Sequence, residues 1–281
     1  MQQRRIADAE VSAIGLGAMP LSIEGRPSRD QAVETVRAAL DAGVTLIDTA
    51  DAYSLDEHDF GHNEELLGEA LKGVDGVMVA TKGGHTRTPG GGWGLNGRPE
   101  YLKAACEQSL RRLGVDVIDL YQYHRPDRDV PIAESVGALA ELLDEGKIRF
   151  AGVSNFNPAE IREANEVLGG RLASVQNQFS PAFRSSDPEL ELCHELGIAF
   201  LPWSPLGGMS AAGRLGERFT AFADVAGAHG VSPQQVCLAW MLAKSPVVVP
   251  IPGSSRPASI RDSAAAVHLV LTDEELKRLD G

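Results

Sequence analysis

Short apolar runs rich in β-branched residues recur along the chain, and segments of helical periodicity separate them. In chain order these runs are "SAIGLGAM", "VTLID", "GVMVATK", "VIDLYQYH", "IRFAGVSN", "ASVQNQ", "IAFLPWS" and "VVVPIPGS". Nearly continuous apolar character is typical of parallel strands that are buried on both faces of a sheet. The pattern therefore predicts about eight strands.

The intervening segments place apolar residues three and four positions apart, which indicates amphipathic helices. The first covers residues 28–42, begins with Ser28 as a cap and ends at Gly43. A last, capped helix is predicted over "LTDEELKRLDG". Between these two, helices are predicted at about 63–73, 99–113, 131–145, 158–168, 187–196, 233–243 and 256–267.

Two α/β architectures fit this alternation, a closed (β/α)8 TIM barrel and an open doubly wound sheet. The chain has 281 residues, and eight units leave about 35 residues each, which suits a βα repeat. A doubly wound sheet usually carries GxGxxG after its first strand, whereas "GLGAMP" here lacks the third glycine and leads into no immediate helix. We therefore predict a single barrel domain over residues 1–281, with "RRIADAEVSAIG" as an N-terminal β-hairpin closing the barrel bottom.

Net charge and cysteine content indicate which partners and which cellular compartment this domain has. The 26 basic and 39 acidic residues give a formal net charge of −13, which argues against nucleic acid and membrane partners. The three cysteines are widely spaced without a CxxC pair, which indicates reduced thiols and a cytoplasmic protein. No stretch approaches the length of a membrane span, and the N-terminus lacks the apolar core of a signal peptide.

Polar residues follow the predicted strands where each strand ends. Asp48 and Tyr53 follow one strand, Lys82 follows the next, and His124 follows "LYQY". In a barrel of parallel strands these ends meet at one face, where barrel enzymes carry their active sites. We therefore expect these four side chains to be neighbours in space.

Seven motifs, taken in order, resemble those of the aldo-keto reductase superfamily. They are "LIDTADAY", "ATKGG", "DLYQYHRPD", "GVSNF", "SVQNQFS", "WSPLGG" and "IPGSSRP". The chain is most similar to bacterial-type members with a short C-terminal tail. The resemblance implies a (β/α)8 barrel that reduces aldehydes and ketones with a nicotinamide cofactor, usually NADPH.

The resemblance also implies a catalytic tetrad of Asp48, Tyr53, Lys82 and His124. A phenol is a weak acid at neutral pH, and a buried ammonium beside it favours proton release, so Tyr53 would donate the proton and Lys82 would assist. Asp48 would hold Lys82 charged, and His124 would orient the carbonyl oxygen. Asp51 has no such role, and we expect a solvated loop or cap residue there.

Further motif positions match those that bind the cofactor in this superfamily. Ser154, Asn155 and Gln176 would bind the nicotinamide carboxamide, and Trp203 would stack on the ring where many relatives have a tyrosine. The loop that crosses the pyrophosphate would begin in "SPLGG", with Ser204, Leu206 and Gly208.

The segment "IPGSSRPASIRDS" would bind the phosphate and adenine side of the cofactor. It departs from well-studied branches because Gly253 and Ser259 stand where a lysine and an arginine clamp the 2′-phosphate of NADPH. The residues that remain for this role are Ser254, Ser255, Arg256 and Arg261 on the phosphate side, and Asp262 and Ser263 on the adenine side. We predict NADPH as the cofactor, with NADH as the alternative.

The substrate end is less specific in sequence. The long, glycine-rich segment 83–99 has no periodicity, and Trp93 is its one large apolar side chain, which we expect to form a pocket wall. The predicted partner is a small-molecule carbonyl substrate, and the protein is expected to be a monomer or a weak homo-oligomer. Two other classes stay open, a non-catalytic cofactor-sensing subunit and a metal-dependent barrel hydrolase using His58 and His62, although no metal ligand is assigned.

Overall fold

The chain forms a barrel of parallel strands surrounded by helices, in a computed structural model that describes residues 1–281. Six ladders join seven parallel strands in the order β11, β10, β9, β8, β5, β4 and β3. The eleven strands are β1 (Gln3–Ile6), β2 (Ala9–Ser12), β3 (Leu16–Gly17), β4 (Leu46–Asp48), β5 (Met78–Gly83), β6 (His85–Thr88), β7 (Gly92–Leu95), β8 (Ile118–Tyr123), β9 (Ile148–Ser154), β10 (Leu172–Gln176) and β11 (Ala199–Phe200).

The predicted eighth strand, "VVVPIPGS", closes the barrel through isolated bridges. Val248 pairs with Phe200 in β11, and Gly253 pairs with Gly17 in β3, both in the parallel sense. Pro250 and Pro252 have no N–H group to donate to a ladder, so the segment does not form a regular strand. Their carbonyl oxygens accept from the backbone of residues 15 and 17, at 2.9 and 3.0 Å. The predicted (β/α)8 architecture is therefore confirmed.

The N-terminal hairpin lies against the start of the strands, as the sequence predicts. β1 and β2 pair antiparallel, and their buried residues Ile6 and Val11 join the apolar core inside the barrel. That core also contains Leu46 and Met78, which stand at the beginning of their strands. The hairpin thus closes the end of the barrel opposite the polar strand ends.

A second and larger apolar core lies between the strands and the surrounding helices. The predicted helices are all present, with boundaries shifted by a few residues. The α-helices are α1 (Arg29–Asp41), α2 (His62–Ala70), α3 (Pro99–Leu113), α4 (Ile132–Asp144), α5 (Pro158–Val167), α6 (Asp187–Leu196), α7 (Met209–Ala212), α8 (Leu215–Arg218), α9 (Thr220–His229), α10 (Pro233–Lys244), α11 (Pro257–Ala265) and α12 (Asp273–Asp280). None of them is long and apolar enough to cross a membrane.

Two regions differ from the sequence-based expectation. No helix was predicted between residues 208 and 230, where α7, α8 and α9 lie. The segment 83–99 was predicted to be non-periodic, yet it contains the antiparallel hairpin of β6 and β7. This hairpin has no apolar alternation because neither of its faces is fully buried.

Candidate active site

The two-residue alternation of the strands directs a ring of polar side chains into the barrel. Below this ring the same strands contribute apolar residues such as Leu46, Ala80 and Leu120. Two positions further along each strand come Asp48, Lys82 and Gln122, all of them buried. The strands thus form an apolar layer inside the barrel and a polar layer directly above it.

Lys82 is the centre of this layer, and its ammonium group is fully buried. Its Nζ donates to Oδ2 of Asp48 at 2.7 Å, to the backbone oxygen of Thr49 at 2.8 Å and to Oη of Tyr53 at 3.0 Å. An ammonium has three donors, so all of them are used. Burial lowers the pKa of Lys82, but Asp48 and Tyr53 raise it by more, and the group stays charged at neutral pH.

Asp48 is held by donors on every side. Its Oδ1 accepts from Nε2 of Gln176 at 2.7 Å and from Nε2 of Gln122 at 3.4 Å, while Oδ2 accepts from Lys82. Burial raises the pKa of Asp48 by more than the charge of Lys82 and the hydrogen bonds from these donors lower it, so the net direction is upward. Because every partner donates, the group accepts as a carboxylate.

Tyr53 lines the cavity above this layer, with its hydroxyl directed at Lys82. Lys82 lowers the pKa of Tyr53, as the sequence predicts, but burial raises it by more, so the net direction is upward. The phenol keeps its proton at neutral pH, which is the form that a proton donor requires.

His124 stands beside Tyr53, with ring centroids 5.7 Å apart in an edge-to-face arrangement. Its Nδ1 is buried without a hydrogen-bond partner, and the ring lines the cavity, so Nε2 is the nitrogen that faces the space. Burial, together with the positive charge of Lys82 and Arg125, lowers the pKa of His124 well below its ordinary value. The imidazole is therefore neutral at pH 7.

Asp51 is not a solvated loop or cap residue, and that prediction is wrong. The residue is fully buried, and neither carboxylate oxygen has a hydrogen-bond partner. Burial and the nearby carboxylate of Glu64 raise the pKa of Asp51 well above its usual range, while Arg112 lowers it by less. The backbone turn after β4 brings Asp51 inward, where its N–H donates to the carbonyl of Lys82 at 3.2 Å.

A cavity of about 420 Å³ opens above the polar layer at the carboxyl ends of the strands. Asp48, Tyr53 and His124 line its inner end, with Lys82 buried beneath them. The predicted cofactor-binding residues that line it are Ser154, Asn155, Gln176, Trp203, Ser204, Leu206, Gly208 and Gly253. The cavity therefore brings together most of the candidates from both predicted sets.

The residues predicted to hold the carboxamide are connected to one another. Nδ2 of Asn155 donates to the carbonyl oxygen of His124 at 3.0 Å, and its Oδ1 accepts from Nε1 of Trp203 at 3.2 Å. Oγ of Ser154 donates to the backbone of Gln176 at 2.7 Å. These bonds fix Asn155 in a left-handed conformation with φ 63°.

The remaining predicted cofactor residues lie outside the lining of this cavity. Ser254 is buried, and Arg256 is exposed at the start of α11. Asp262 accepts from Ser232 and Gln235 at the start of α10, both at 2.6 Å. Ser255 and Ser263 also lie in or beside α11, and the roles of these five residues stay predictions.

Trp93 lines the outer wall of the cavity from the hairpin of β6 and β7. The guanidinium of Arg87 lies 4.0 Å from its ring centroid, and His85 meets it edge-to-face at 5.4 Å. His85 also contacts His124, with 4.3 Å between ring centroids. The hairpin therefore connects the outer wall to the ring that stands beside Tyr53.

Sequence reasoning missed several residues of this site, among them Gln122, His85 and Arg125. Gln122 stands two positions before His124, so the alternation of β8 could have identified it as inward-facing. Arg125 directly follows His124 and lines the cavity, but adjacency to a strand end does not say which way a side chain points. His85 belongs to a hairpin that the sequence pattern does not predict.

The model of the aldo/keto reductase family matches residues 13–281. The chain belongs to this family. It is 39% identical to the 6-dehydroglucose reductase of Novosphingobium aromaticivorans over 92% of this chain and 87% of that relative. The predicted family and the prediction of an oxidoreductase are therefore confirmed.

Solved structures of family members agree with the barrel described above. The glycerol dehydrogenase of Gluconobacter oxydans matches with a TM-score of 0.85 and 30% identity, over 99% of this chain and 94% of that one. An aldo/keto reductase from Klebsiella pneumoniae, solved in complex with NADP and acetate, matches with a TM-score of 0.81 and 32% identity. That match covers 98% of this chain and 92% of the Klebsiella protein, which holds the cofactor type predicted from the sequence.

Proposed function

We propose that this oxidoreductase reduces aldehydes or ketones to alcohols with NADPH, and that Tyr53 donates the proton. The observation that carries the proposal is the set of bonds made by Lys82. Its buried ammonium reaches Asp48, Thr49 and the hydroxyl of Tyr53 at the inner end of the cavity. A buried ion pair contributes little to stability. The buried position of Lys82 is therefore explained better by a catalytic role than by folding.

Tyr53 delivers a proton to the carbonyl oxygen as that oxygen gains negative charge. When the phenol loses its proton, the remaining phenolate lies 3.0 Å from the ammonium of Lys82. The ammonium stabilises this developing charge at a buried position, where electrostatic attraction is stronger than in bulk water. Asp48 keeps Lys82 charged and directed at Tyr53.

His124 positions the substrate. Because its pKa is lowered, the ring is neutral, and Nε2 can carry a proton toward the cavity. A neutral imidazole that donates a hydrogen bond to the carbonyl oxygen polarises the carbonyl and orients it toward Tyr53. His85, packed against the ring at 4.3 Å, limits the orientations available to His124.

The residues present fit a nicotinamide cofactor. When bound, NADPH supplies the hydride. Asn155, Ser154 and Gln176 present amide and hydroxyl groups at the inner end, and Trp203 offers a ring face. Gly208, with φ 93°, permits close backbone approach in the loop that follows.

Two arginines in or beside α11 favour NADPH, which carries a 2′-phosphate, over NADH, which does not. Neither Arg256 nor Arg261 forms an ion pair within the protein, so both cations are free for a phosphate. Ser254 and Ser255 precede the start of α11, where backbone N–H groups also favour an anion. The names of the relatives, a reductase of a sugar carbonyl and a dehydrogenase of glycerol, support the same exchange between carbonyl and alcohol.

The test is to follow oxidation of NADPH by its absorbance with a panel of activated aldehydes. We expect turnover by the wild-type protein and a loss of at least about 100-fold in kcat for Tyr53→Phe, the lower end for removal of a general acid. Tyr101→Phe is the matched control, because Tyr101 is a partly buried phenol outside the cavity. NADPH binding, measured by fluorescence, should persist in both variants.

Two results would contradict the proposal. Full activity of Tyr53→Phe would remove Tyr53 as the proton donor. Tight NADPH binding without turnover of any carbonyl would favour the cofactor-sensing role over an enzyme. A comparison of affinities for NADPH and NADH in Arg256→Gln tests the phosphate contact separately.

A further inference from the structure

Arg125 places a guanidinium at the cavity without an internal partner. It directly follows His124 and lines the cavity beside Trp93 and His85. No carboxylate in the protein lies within ion-pair distance of it, and it makes no hydrogen bond. The chain has 39 acidic residues against 26 basic ones, so carboxylates are plentiful, yet none of them pairs with Arg125.

The other ionisable groups of the cavity do not neutralise this charge. Asp48 is the one carboxylate in the lining, and its charge is compensated by Lys82 at 2.7 Å. Burial lowers the pKa of His85 to about 4, with Arg125 among the smaller causes, so this ring is neutral at pH 7. The substrate end of the cavity therefore carries a net positive charge.

Arg125 is exposed to solvent at the cavity, so its guanidinium is accessible to an anion there. Trp93, Met19 and Ile251 contribute apolar surface to the same cavity. A charge-assisted hydrogen bond to a guanidinium is about twice as strong as one between neutral groups. A planar guanidinium also matches a carboxylate through two parallel N–H···O bonds.

We propose that Arg125 selects carbonyl substrates that also carry a carboxylate, such as short oxo acids and carboxylated benzaldehydes. This inference rests on the proposed carbonyl reduction, since it assigns the substrate class of the same site. The carbonyl oxygen would lie at His124 and Tyr53, while the carboxylate would contact Arg125. A single guanidinium with no second cation in the lining matches one negative charge, which favours a carboxylate over a phosphate.

The test compares 4-carboxybenzaldehyde with methyl 4-formylbenzoate, its neutral ester. In the wild type we expect kcat/KM for the acid to exceed that for the ester by at least about 10-fold, as one charge-assisted contact implies. Arg125→Gln should remove this preference, mainly through KM for the acid, and leave the ester within about twofold of wild type. Arg128→Gln is the matched control, because Arg128 is exposed nearby and does not line the cavity.

A binding measurement separates this inference from the proposed reaction. Benzoate carries the carboxylate without a carbonyl, and its binding can be followed by quenching of tryptophan fluorescence. Arg125→Gln should weaken benzoate binding by about 10-fold even if no aldehyde is turned over. The inference is wrong if the wild type prefers the ester, if the variant slows acid and ester equally, or if benzoate binding is unchanged.

Discussion

The side-chain amide of Gln176 donates a 2.7 Å hydrogen bond to Oδ1 of Asp48 across the interior of the barrel. The bond joins β10 to β4, which three other strands separate in the sheet. A residue that the sequence assigns to the cofactor thus also holds the carboxylate that faces Lys82. The two predicted sets of residues form one hydrogen-bonded layer.

Replacing Gln176 should therefore weaken the polar layer as well as cofactor binding. Gln176→Leu leaves Oδ1 of Asp48 without its closest donor, and we expect a loss of about 1.5–3 kcal/mol in the free energy of unfolding. Urea unfolding measures this change. Gln178→Leu is the control, because Gln178 is only partly buried and makes no side-chain hydrogen bond. Equal losses in the two variants would mean that the hydrogen bond to Asp48 does not contribute to the free energy of unfolding.

Asp51 should make the folded protein less stable as the pH rises. Its pKa is raised in the fold, so above the unfolded value the unfolded chain gains free energy by ionising while folded Asp51 keeps its proton. Stability falls until the pH passes the folded pKa, by up to about 1.4 kcal/mol per pH unit. Asp51→Asn removes this dependence.

The measurement is urea unfolding of Asp51→Asn and wild type between about pH 5 and about pH 8. The variant should gain stability relative to wild type as the pH increases. Asp116→Asn, at an exposed position, should show no such trend. A difference that stays constant with pH would show that Asp51 is ionised in the folded protein.

Gly17 is required where the barrel closes. A Cβ atom at this position would lie 2.8 Å from the backbone oxygen of Ile251. Gly17→Ala should therefore cost about 1–3 kcal/mol in the free energy of unfolding, because the backbone at the closure must shift. Gly137→Ala, in the middle of α4 with no atom near the added methyl group, should instead stabilise by about 0.5–1 kcal/mol. Destabilisation of similar size in both variants would contradict this account.

The sequence predicted the strand ends well, because parallel strands in a barrel bring those ends to one face. Lys82 and His124 lie 42 positions apart, yet Lys82 is buried directly beneath the cavity that His124 lines. The burial of Asp51 was not predicted, since a turn after a strand can direct a side chain inward or outward, and only the packed structure decides. The same holds for Arg125, which stands one position beyond a residue that the pattern identifies.

Elements without a buried apolar face were also beyond the sequence pattern. The hairpin that carries His85 and Trp93 is largely exposed, so it shows no alternation. α7 and α8 have four residues each, too few for a helical period to be recognised. Both regions border the cavity, and function there depends on residues whose positions hydrophobic periodicity does not specify.

Pro250 and Pro252 limit the backbone hydrogen bonds at the junction between β3 and the segment that closes the barrel. On the side facing β3, Pro250 and Pro252 accept backbone hydrogen bonds but donate none, because proline has no N–H group. The next contact, from the N–H of Ser254 to the oxygen of Gly17, is long at 3.4 Å. This junction ends at the segment that is proposed to hold the cofactor phosphates. A ligand that contacts both this segment and the opposite rim of the cavity would therefore add a connection across the junction where the barrel closes.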